Sequence, residues 1–145
     1  MEMEIRRYQD SDEPSVVRLW NESGLVRPWN DPHKDIRRKL SVQPELFLVG
    51  VIDAGIIATI MAGFDGHRGW INYLAVAEKY RRRGLGRLLM QRVENQLKDM
   101  GCPKLNMQVR SSNAAVLAFY ERLGYAQDPA VSLGKRLIPD EQAAT

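Results

Sequence analysis

The sequence predicts a mixed α/β domain whose central sheet is mostly antiparallel. Three apolar segments between Leu46 and Val76 are separated by short turns, which is the pattern of an antiparallel meander. The apolar period then changes to helical spacing from Leu85 to Met100, and a strand, a helix and another strand follow. Strand–helix–strand units introduce parallel pairing into such a sheet. We therefore expect one domain over residues 1–145, with about four helices around the sheet.

The composition fits a single globular domain and argues against several classes of protein. A chain of 145 residues with 44% hydrophobic and 27% charged residues can bury a core of its own. Cys102 is the only cysteine, so no disulfide can form within the chain, and we interpret it as structural. The start lacks the apolar region of a signal peptide, and no apolar run approaches the ~20 residues needed to cross a bilayer. We expect a cytoplasmic protein without a membrane partner.

The first third of the chain predicts one strand and two helices. Asp12 is a helix N-cap by residue type, with Pro14 in the first turn. Asp31 and Pro32 repeat this start signal after the loop "LVRPWNDP". The expected elements are a strand over Met3–Tyr8, a helix from Asp12 to about Gly24 that buries Val16, Val17 and Trp20, and a helix from Asp31 to about Leu40.

The middle of the chain predicts three strands. Leu46–Ile52 and Ile56–Phe64 are separated by Asp53-Ala54-Gly55, a hairpin signal. The turn Asp65–Gly69 leads into a third strand, Trp70–Val76.

The last third predicts two helices and two strands. Gly101 and Pro103 end the first helix, and Gly124 is the expected C′ residue of the second. The expected elements are a helix from Leu85 to Met100, a strand over Lys104–Val109, a helix from Asn113 to Leu123, a strand over Val131–Ile138 and a frayed tail over residues 139–145.

The junction "KYRRRGLGR" has the chemistry of a phosphate-binding site. Between Lys79 and Arg92 there are six basic residues and no acidic one, although the net charge of the chain is only +3. Gly84 and Gly86 stand where a helix begins, and the free N–H groups of a helix N-terminus favour an anion. The glycine spacing matches neither a P-loop nor a dinucleotide fingerprint. A local basic cluster predicts a compact anionic ligand such as a diphosphate, and no nucleic acid.

Three motifs together resemble one known family. Arg81-Arg82-Arg83-Gly84-Leu85-Gly86 is similar to the Gln/Arg-x-x-Gly-x-Gly/Ala pyrophosphate loop of the GNAT superfamily of acyl-CoA-dependent N-acyltransferases. "LAV" before it and "NAAVLAFYERLGY" after it resemble the flanking motifs of that family in order and spacing. "RPWNDP" and "GFDGHRG" further resemble a small bacterial subgroup, the YpeA-type proteins. The resemblance implies a sheet that splays between its fourth and fifth strands.

The resemblance also implies acetyl-CoA as cosubstrate, no metal, and a set of cofactor-binding residues. Asn113 would contact the cofactor, and Tyr120 would protonate the departing thiolate. Backbone at Leu74, Ala75 and Val76 would pair with the pantetheine amides. The diphosphate would lie on the loop formed by Arg81, Arg82, Arg83, Gly84, Leu85, Gly86 and Arg87.

A catalytic base is harder to assign from the sequence. Gln108 stands where related enzymes often carry a glutamate, and glutamine accepts no proton at neutral pH. His67 and Asp31 are the candidates, although Asp31 has the alternative role of a helix N-cap. The base could equally be a relayed water, or not be needed. The acceptor pocket is expected at Arg27, Trp29, Asn72 and Tyr73.

The sequence therefore predicts an N-acetyltransferase that moves an acetyl group to a primary amine by direct attack. The expected acceptor is a small amine or an amino-acid-like metabolite. Protein N-terminal acetylation, or acyl-CoA sensing without turnover, are the alternatives. The expected strand "VSLGKRLI" at a sheet edge makes a homodimer a further expectation.

Overall fold

A computed structural model of the chain describes residues 2–140 and contains one five-stranded sheet. The strands are β1 (Glu4–Arg7), β2 (Phe47–Ile52), β3 (Gly55–Phe64), β4 (Gly69–Val76) and β5 (Leu105–Met107). The helices are α1 (Glu13–Glu22), α2 (Pro32–Leu40), α3 (Leu85–Asp99) and α4 (Ala114–Arg122). The sheet order follows the chain, and every neighbouring pair is antiparallel except β4 and β5, which are parallel. The predicted mixed α/β class is confirmed.

The β2–β3 hairpin turns on two residues rather than three. Ile52 pairs with Gly55, so the loop consists of Asp53 and Ala54, with φ of 50° and 63°. Positive φ at both central residues matches the right-handed twist of the flanking strands. Gly55 is therefore the first residue of β3.

The sheet opens between β4 and β5. Their pairing covers only Gly69–Ile71 against Leu105–Met107. Beyond it, the β3–β4 register shifts by one residue between Thr59 and Met61, so β4 has an extra residue around Tyr73. A bulge of this kind bends a strand and increases its twist. The predicted splay is confirmed, and the same bend explains why β5 ends at Met107 instead of Val109.

Helices cover both faces of the sheet. On one face, α3 buries Leu89, Met90, Val93 and Leu97. On the other face, α1 and α2 bury Val16, Leu19, Trp20 and Ile36 against β2 and β3. Val17, expected in the core, is only partly buried. The result is a three-layer arrangement with two separate apolar cores.

The predicted strand Val131–Ile138 is wrong. No residue after Arg122 within the described part of the chain lies in a helix or strand. Val131, Leu133 and Leu137 are 86%, 91% and 85% exposed. Near β5, the segment makes a side-chain hydrogen bond, from Gln108 Nε2 to the Ser132 hydroxyl. Just before the segment, Asn106 Nδ2 donates to Asp128 Oδ2 at 2.8 Å. Without a backbone ladder there is no strand, and the sheet edge on which the homodimer expectation rested is absent.

The tail expected to fray, residues 139–145, contains an anchored residue near its start. Asp140 is only 3% exposed and pairs with Arg38 and with Arg136, the latter at 2.9 Å. Residues 141–145 of the expected tail lie outside the described residues. Within residues 2–140, no helix has both the length and the apolar character required to cross a membrane.

Candidate active site

The loop before α3 is shaped to receive an anion. Arg82 and Gly84 have φ of 64° and 76°, and Gly84 is the N-cap of the helix. The hydrogen bond from the Leu88 amide to the Gly84 carbonyl, at 3.1 Å, belongs to the first turn of α3. The amides of Leu85, Gly86 and Arg87 therefore have no acceptor inside the helix. Left-handed residues followed by free helical amides form a concave site with partial positive charge.

The arginines of this loop have different roles. The Nε of Arg81 donates to the Val76 carbonyl at 2.8 Å, so this side chain caps the end of β4. The guanidinium of Arg83 lies 5.5 Å from the centre of the buried Tyr80 ring. Arg82 and Arg87 are exposed beside the free amides, and the first turn of α3 contains no acidic residue. The charge of the loop is thus available to a bound anion.

The two glycines of the loop are needed for different reasons. Gly84 occupies a left-handed conformation, with open space where a Cβ would lie. At Gly86, a Cβ would lie 3.2 Å from Cζ of Phe119 on α4. The sequence predicts that both glycines admit an anion. The structure shows that Gly86 also permits α3 and α4 to pack closely.

The bulged part of β4 is held by a buried polar network. Tyr73 has φ of 53°, an unfavourable conformation for a tyrosine. Its ring stacks on Trp20 with centroids 3.8 Å apart, and its carbonyl accepts a 2.9 Å hydrogen bond from the Thr59 hydroxyl. That hydroxyl accepts one in turn from the Trp20 indole at 2.8 Å. The Tyr73 hydroxyl donates to Asp35 on α2 at 2.6 Å, and burial together with this contact raises the pKa of Tyr73.

Leu74, Ala75 and Val76 lie beyond this bulge. Ala75 and Val76 pair with β3 on one side, while β5 ends before it reaches these three residues on the other. A strand edge of this kind presents backbone groups to an added chain or ligand.

Tyr120 faces the core from α4. It is 8% exposed and makes edge contacts with Phe119 and Tyr125, at centroid distances of 5.1 and 5.7 Å. Burial raises the pKa of Tyr120 to about 12, so its hydroxyl stays protonated at neutral pH. Asn113 caps α4 by accepting from the Val116 amide at 3.3 Å, which gives its side chain a structural role.

A cleft of about 560 Å³ lies between α2 and β4. Leu25, Val42 and Met61 form its apolar part. Its polar lining consists of Asn30, Asp35, Arg38, Lys39, Asn72 and Tyr73. A smaller cleft of about 210 Å³ shares Lys39, Val42, Met61 and Asn72 and extends the space towards Trp70. We call the two clefts together the trough. Two predicted acceptor residues, Asn72 and Tyr73, line it, opposite a face of α2 that the sequence analysis did not identify.

Other predicted residues lie elsewhere. The Asp31 carboxylate accepts from the His33 amide at 2.9 Å and from that of Lys34 at 3.4 Å, as an N-cap does. His67 lies in an exposed turn, where its backbone amide donates to the Asp65 carboxylate. Arg27 and Trp29 are not among the residues that line the two clefts, and Trp29 is 50% exposed.

Asp35, Arg38 and Lys39 are three cleft residues on α2 that sequence reasoning missed. Their spacing on α2 places them on its polar side, and any helix with one face in solvent has polar residues on that face. The sequence pattern therefore gave no reason to select them. Only the position of α2 over the bulge distinguishes them. Among residues 2–140, no group of three or more His, Cys, Asp or Glu side chains is placed to hold a metal.

Comparison with known proteins agrees with this geometry. Residues 8–125 match the model of the acetyltransferase (GNAT) family. An acetyltransferase of Yersinia enterocolitica is 49% identical over 140 residues, which cover 97% of this chain and 99% of the relative.

Two solved structures have the same fold. AAC(6')-Iy, in complex with the bisubstrate analog CoA-S-monomethyl-acetylneamine, has a TM-score of 0.78 at 16% identity, covering 94% of this chain and 99% of that one. The ribosomal-protein-S18-alanine N-acetyltransferase from Escherichia coli has a TM-score of 0.70 at 24% identity, covering 85% and 77%. The family match and the nearly full-length relative together show that this chain belongs to the acetyltransferase (GNAT) family and is an acetyltransferase.

Proposed function

We propose that the protein transfers the acetyl group of acetyl-CoA to the primary amine of a small, amino-acid-like acceptor, by direct attack within a ternary complex. The observation that carries this proposal is that the expected cofactor-binding and acceptor-binding residues follow one another on β4. The unpaired edge at Leu74–Val76 leads to the anion-binding loop, while Asn72 and Tyr73, the residues just before it, line the cleft. Cofactor and acceptor would therefore meet at the bulge.

The cofactor would bind along the opened edge of the sheet. Its diphosphate would accept from the amides between Arg82 and Arg87, with the exposed arginines adding charge. The amides of its pantetheine arm would pair with Leu74 and Val76 as an added strand. AAC(6')-Iy, which has the same fold, is in complex with an analog that contains coenzyme A, and this supports coenzyme A as the ligand.

The reaction needs a neutral amine, an oxyanion donor and a proton for the leaving group. The amine nitrogen would attack the thioester carbonyl, and the carbonyl oxygen would take the negative charge. A backbone N–H at Leu74 or Ala75 would stabilise that oxyanion. When the C–S bond breaks, the thiolate would take the proton of the Tyr120 hydroxyl, and the Tyr120 phenolate would regain a proton from solvent before the next turnover.

The proton released by the amine has no assigned side-chain acceptor. The Asp31 contacts favour a capping role, and Asp35 already accepts from Tyr73 and Arg38. We infer that water in the open cleft accepts the proton. His67→Gln and Asp31→Asn test the alternative, since a fall in kcat without a fall in stability would identify either residue as the base.

The first experiment measures thiol release from acetyl-CoA with a panel of amino acids, simple amines and short peptides. Release with small amines, together with an acetylated product of the expected mass, supports the proposal. Turnover of peptides alone would instead indicate protein N-terminal acetylation. Binding of acetyl-CoA without release under any condition would indicate a sensor.

Tyr120→Phe tests the proposed proton donor. We expect kcat to fall by roughly 10²-fold, a typical loss when a general acid is removed, while acetyl-CoA binding is retained. Because the pKa of Tyr120 is about 12, deprotonation of its hydroxyl should not lower the wild-type kcat between pH 7 and about 10.

Tyr8→Phe is the matched control for this substitution. Tyr8 is also buried, and its hydroxyl has no hydrogen-bond partner among the described residues. Its removal should leave kcat unchanged. Equal kcat in the Tyr120→Phe and wild-type proteins would remove Tyr120 from the mechanism.

A further inference from the structure

We propose that the acceptor is an apolar amino acid whose carboxylate binds Lys39 and whose side chain enters the cleft beside Trp70. This inference rests on the proposed function and narrows its substrate class. It assigns the carboxylate-binding role to α2, which follows the loop where the sequence analysis expected part of the acceptor pocket at Arg27.

Lys39 lies at the centre of the trough. It lines both clefts, and its ammonium donates to the carbonyl of Ala62 on β3. An ammonium has three donors, so one protein acceptor leaves two of them for a ligand. The end of α2 thus supplies a fixed cation next to Asn72 and the bulge.

Of the two trough cations, Lys39 has a carboxylate near it, that of Glu45, but not within ion-pairing distance. Arg38 pairs with Asp35 at 3.0 Å and with Asp140. Lys39 forms no ion pair with any of residues 2–140, and burial lowers the pKa of its ammonium. A ligand carboxylate there would offset the cost of desolvating this charge.

The two acidic side chains of the trough already have partners. Asp35 accepts from Tyr73 and Arg38. Asp65, at the far end, accepts from the amides of His67 and Arg68, both at 2.8 Å, and from the Trp70 indole at 3.3 Å. Both carboxylates keep some acceptor capacity, but Arg38 offsets the charge of Asp35, and the bonds of Asp65 direct it into its own turn. The trough therefore suits an acceptor with one amine and one carboxylate better than a polyamine.

The smaller cleft supplies the apolar contact. It is lined by the apolar residues Val42, Met61, Phe64 and Trp70. Its volume of about 210 Å³ can hold one amino-acid side chain but not a larger group. Val42 and Trp70 are 59% and 38% exposed in the free protein. Burial of apolar surface there would contribute roughly 25 cal/mol per Å² to binding.

The test compares phenylalanine with its carboxamide and with phenethylamine, using kcat/KM per free amine so that differences in amine pKa cancel. The wild-type protein should prefer phenylalanine by at least ~10-fold, the range of one charge-assisted hydrogen bond. Lys39→Met should abolish that preference, and Lys39→Arg should keep part of it.

Arg37→Met is the matched control, because Arg37 is the neighbouring α2 cation and lies outside both clefts. It should keep the wild-type preference. Thermal unfolding of each variant checks that the fold is intact.

The outcomes separate this inference from the proposed function. Acetylation of amines without a carboxylate preference, or with spermidine as the best acceptor, would overturn the inference and leave the proposed function standing. If no amine is acetylated, calorimetric titration of phenylalanine into the protein with coenzyme A decides. Binding that Lys39→Met abolishes supports the inference, and absence of binding overturns it.

Discussion

At the scale of single residues, Thr59 shows how one hydroxyl fixes the geometry of the bulge. It is fully buried, accepts from the Trp20 indole and donates to the Tyr73 carbonyl. Without it, two buried polar groups would have no partner. The strained φ of Tyr73 persists because stacking on Trp20 and the bond to Asp35 hold it from both sides.

Thr59→Val should therefore destabilise the protein and distort the bulge. We expect the free energy of unfolding to fall by about 1–3 kcal/mol, the cost of leaving a buried polar group unpaired. We also expect a lower kcat, since the proposed oxyanion donor follows Tyr73 directly. Denaturant unfolding and thiol release measure the two effects.

Thr59→Ser is the control for this substitution, because it removes a methyl group and keeps the hydroxyl. Most of the activity should return with it. Unchanged stability and activity in Thr59→Val would show that the network has no role in holding the bulge.

At the scale of elements, α3 joins the sheet to the anion-binding loop. Gly84 precedes it and Gly101 follows it, with φ of 76° and 88° and no atom within 4 Å of a Cβ at either position. The two glycines are therefore alike in conformation and surroundings. They differ in that only Gly84 lies next to the free helical amides.

Gly84→Ala and Gly101→Ala form a matched pair of substitutions. Each should lower the free energy of unfolding by about 1–2 kcal/mol, the cost of a left-handed conformation for a residue with a Cβ. Only Gly84→Ala should also weaken coenzyme A binding, measured by calorimetry. Equal affinities in the two variants would place the diphosphate elsewhere.

At the scale of the whole molecule, the C-terminal segment ties distant parts of the chain together. Asp140 accepts from the Asp31 amide at 2.9 Å and pairs with Arg38, which lines the cleft. The Lys34 ammonium donates to its carbonyl at 3.3 Å. One residue near the end of the described chain thus fixes the start and the middle of α2.

Asp140→Asn should loosen this attachment and reduce the acid sensitivity of the protein. The bond from Arg38 is the main cause that lowers the pKa of Asp140, so the stabilisation is present above the ordinary aspartate pKa and is lost as pH falls through the folded one. The wild-type free energy of unfolding should decrease below about pH 4. The free energy of unfolding of the variant should be lower than that of the wild type at pH 7 and should change less with pH.

Asp128→Asn provides the comparison on the same segment. Its carboxylate pairs with Lys104 at 2.8 Å, but its side chain is 39% exposed, so water screens the pair. Its effect at pH 7 should be the smaller of the two. The reverse order would contradict an anchoring role for Asp140.

The sequence predicts much of the fold because its strongest signals are local. Apolar segments separated by turn residues identify the meander, and capping residues place the starts of α2 and α4 at Asp31 and Asn113. The prediction for Val131–Ile138 was wrong because residue composition reports strand propensity, while a strand needs a backbone partner. β5 pairs over only three residues and offers none there.

By itself, the sequence determined the fold class and the family motifs, and it predicted a phosphate-binding loop before α3. These depend on residue types at fixed short spacings, which survive any detail of packing. Tertiary structure alone decided which face of α2 turns towards Tyr73, and hence that Lys39 lines the cleft while Arg27 does not. It also decided that Gly86 serves packing against Phe119 and that Asp140 is buried. Those contacts join residues far apart in the chain, so no local pattern could encode them.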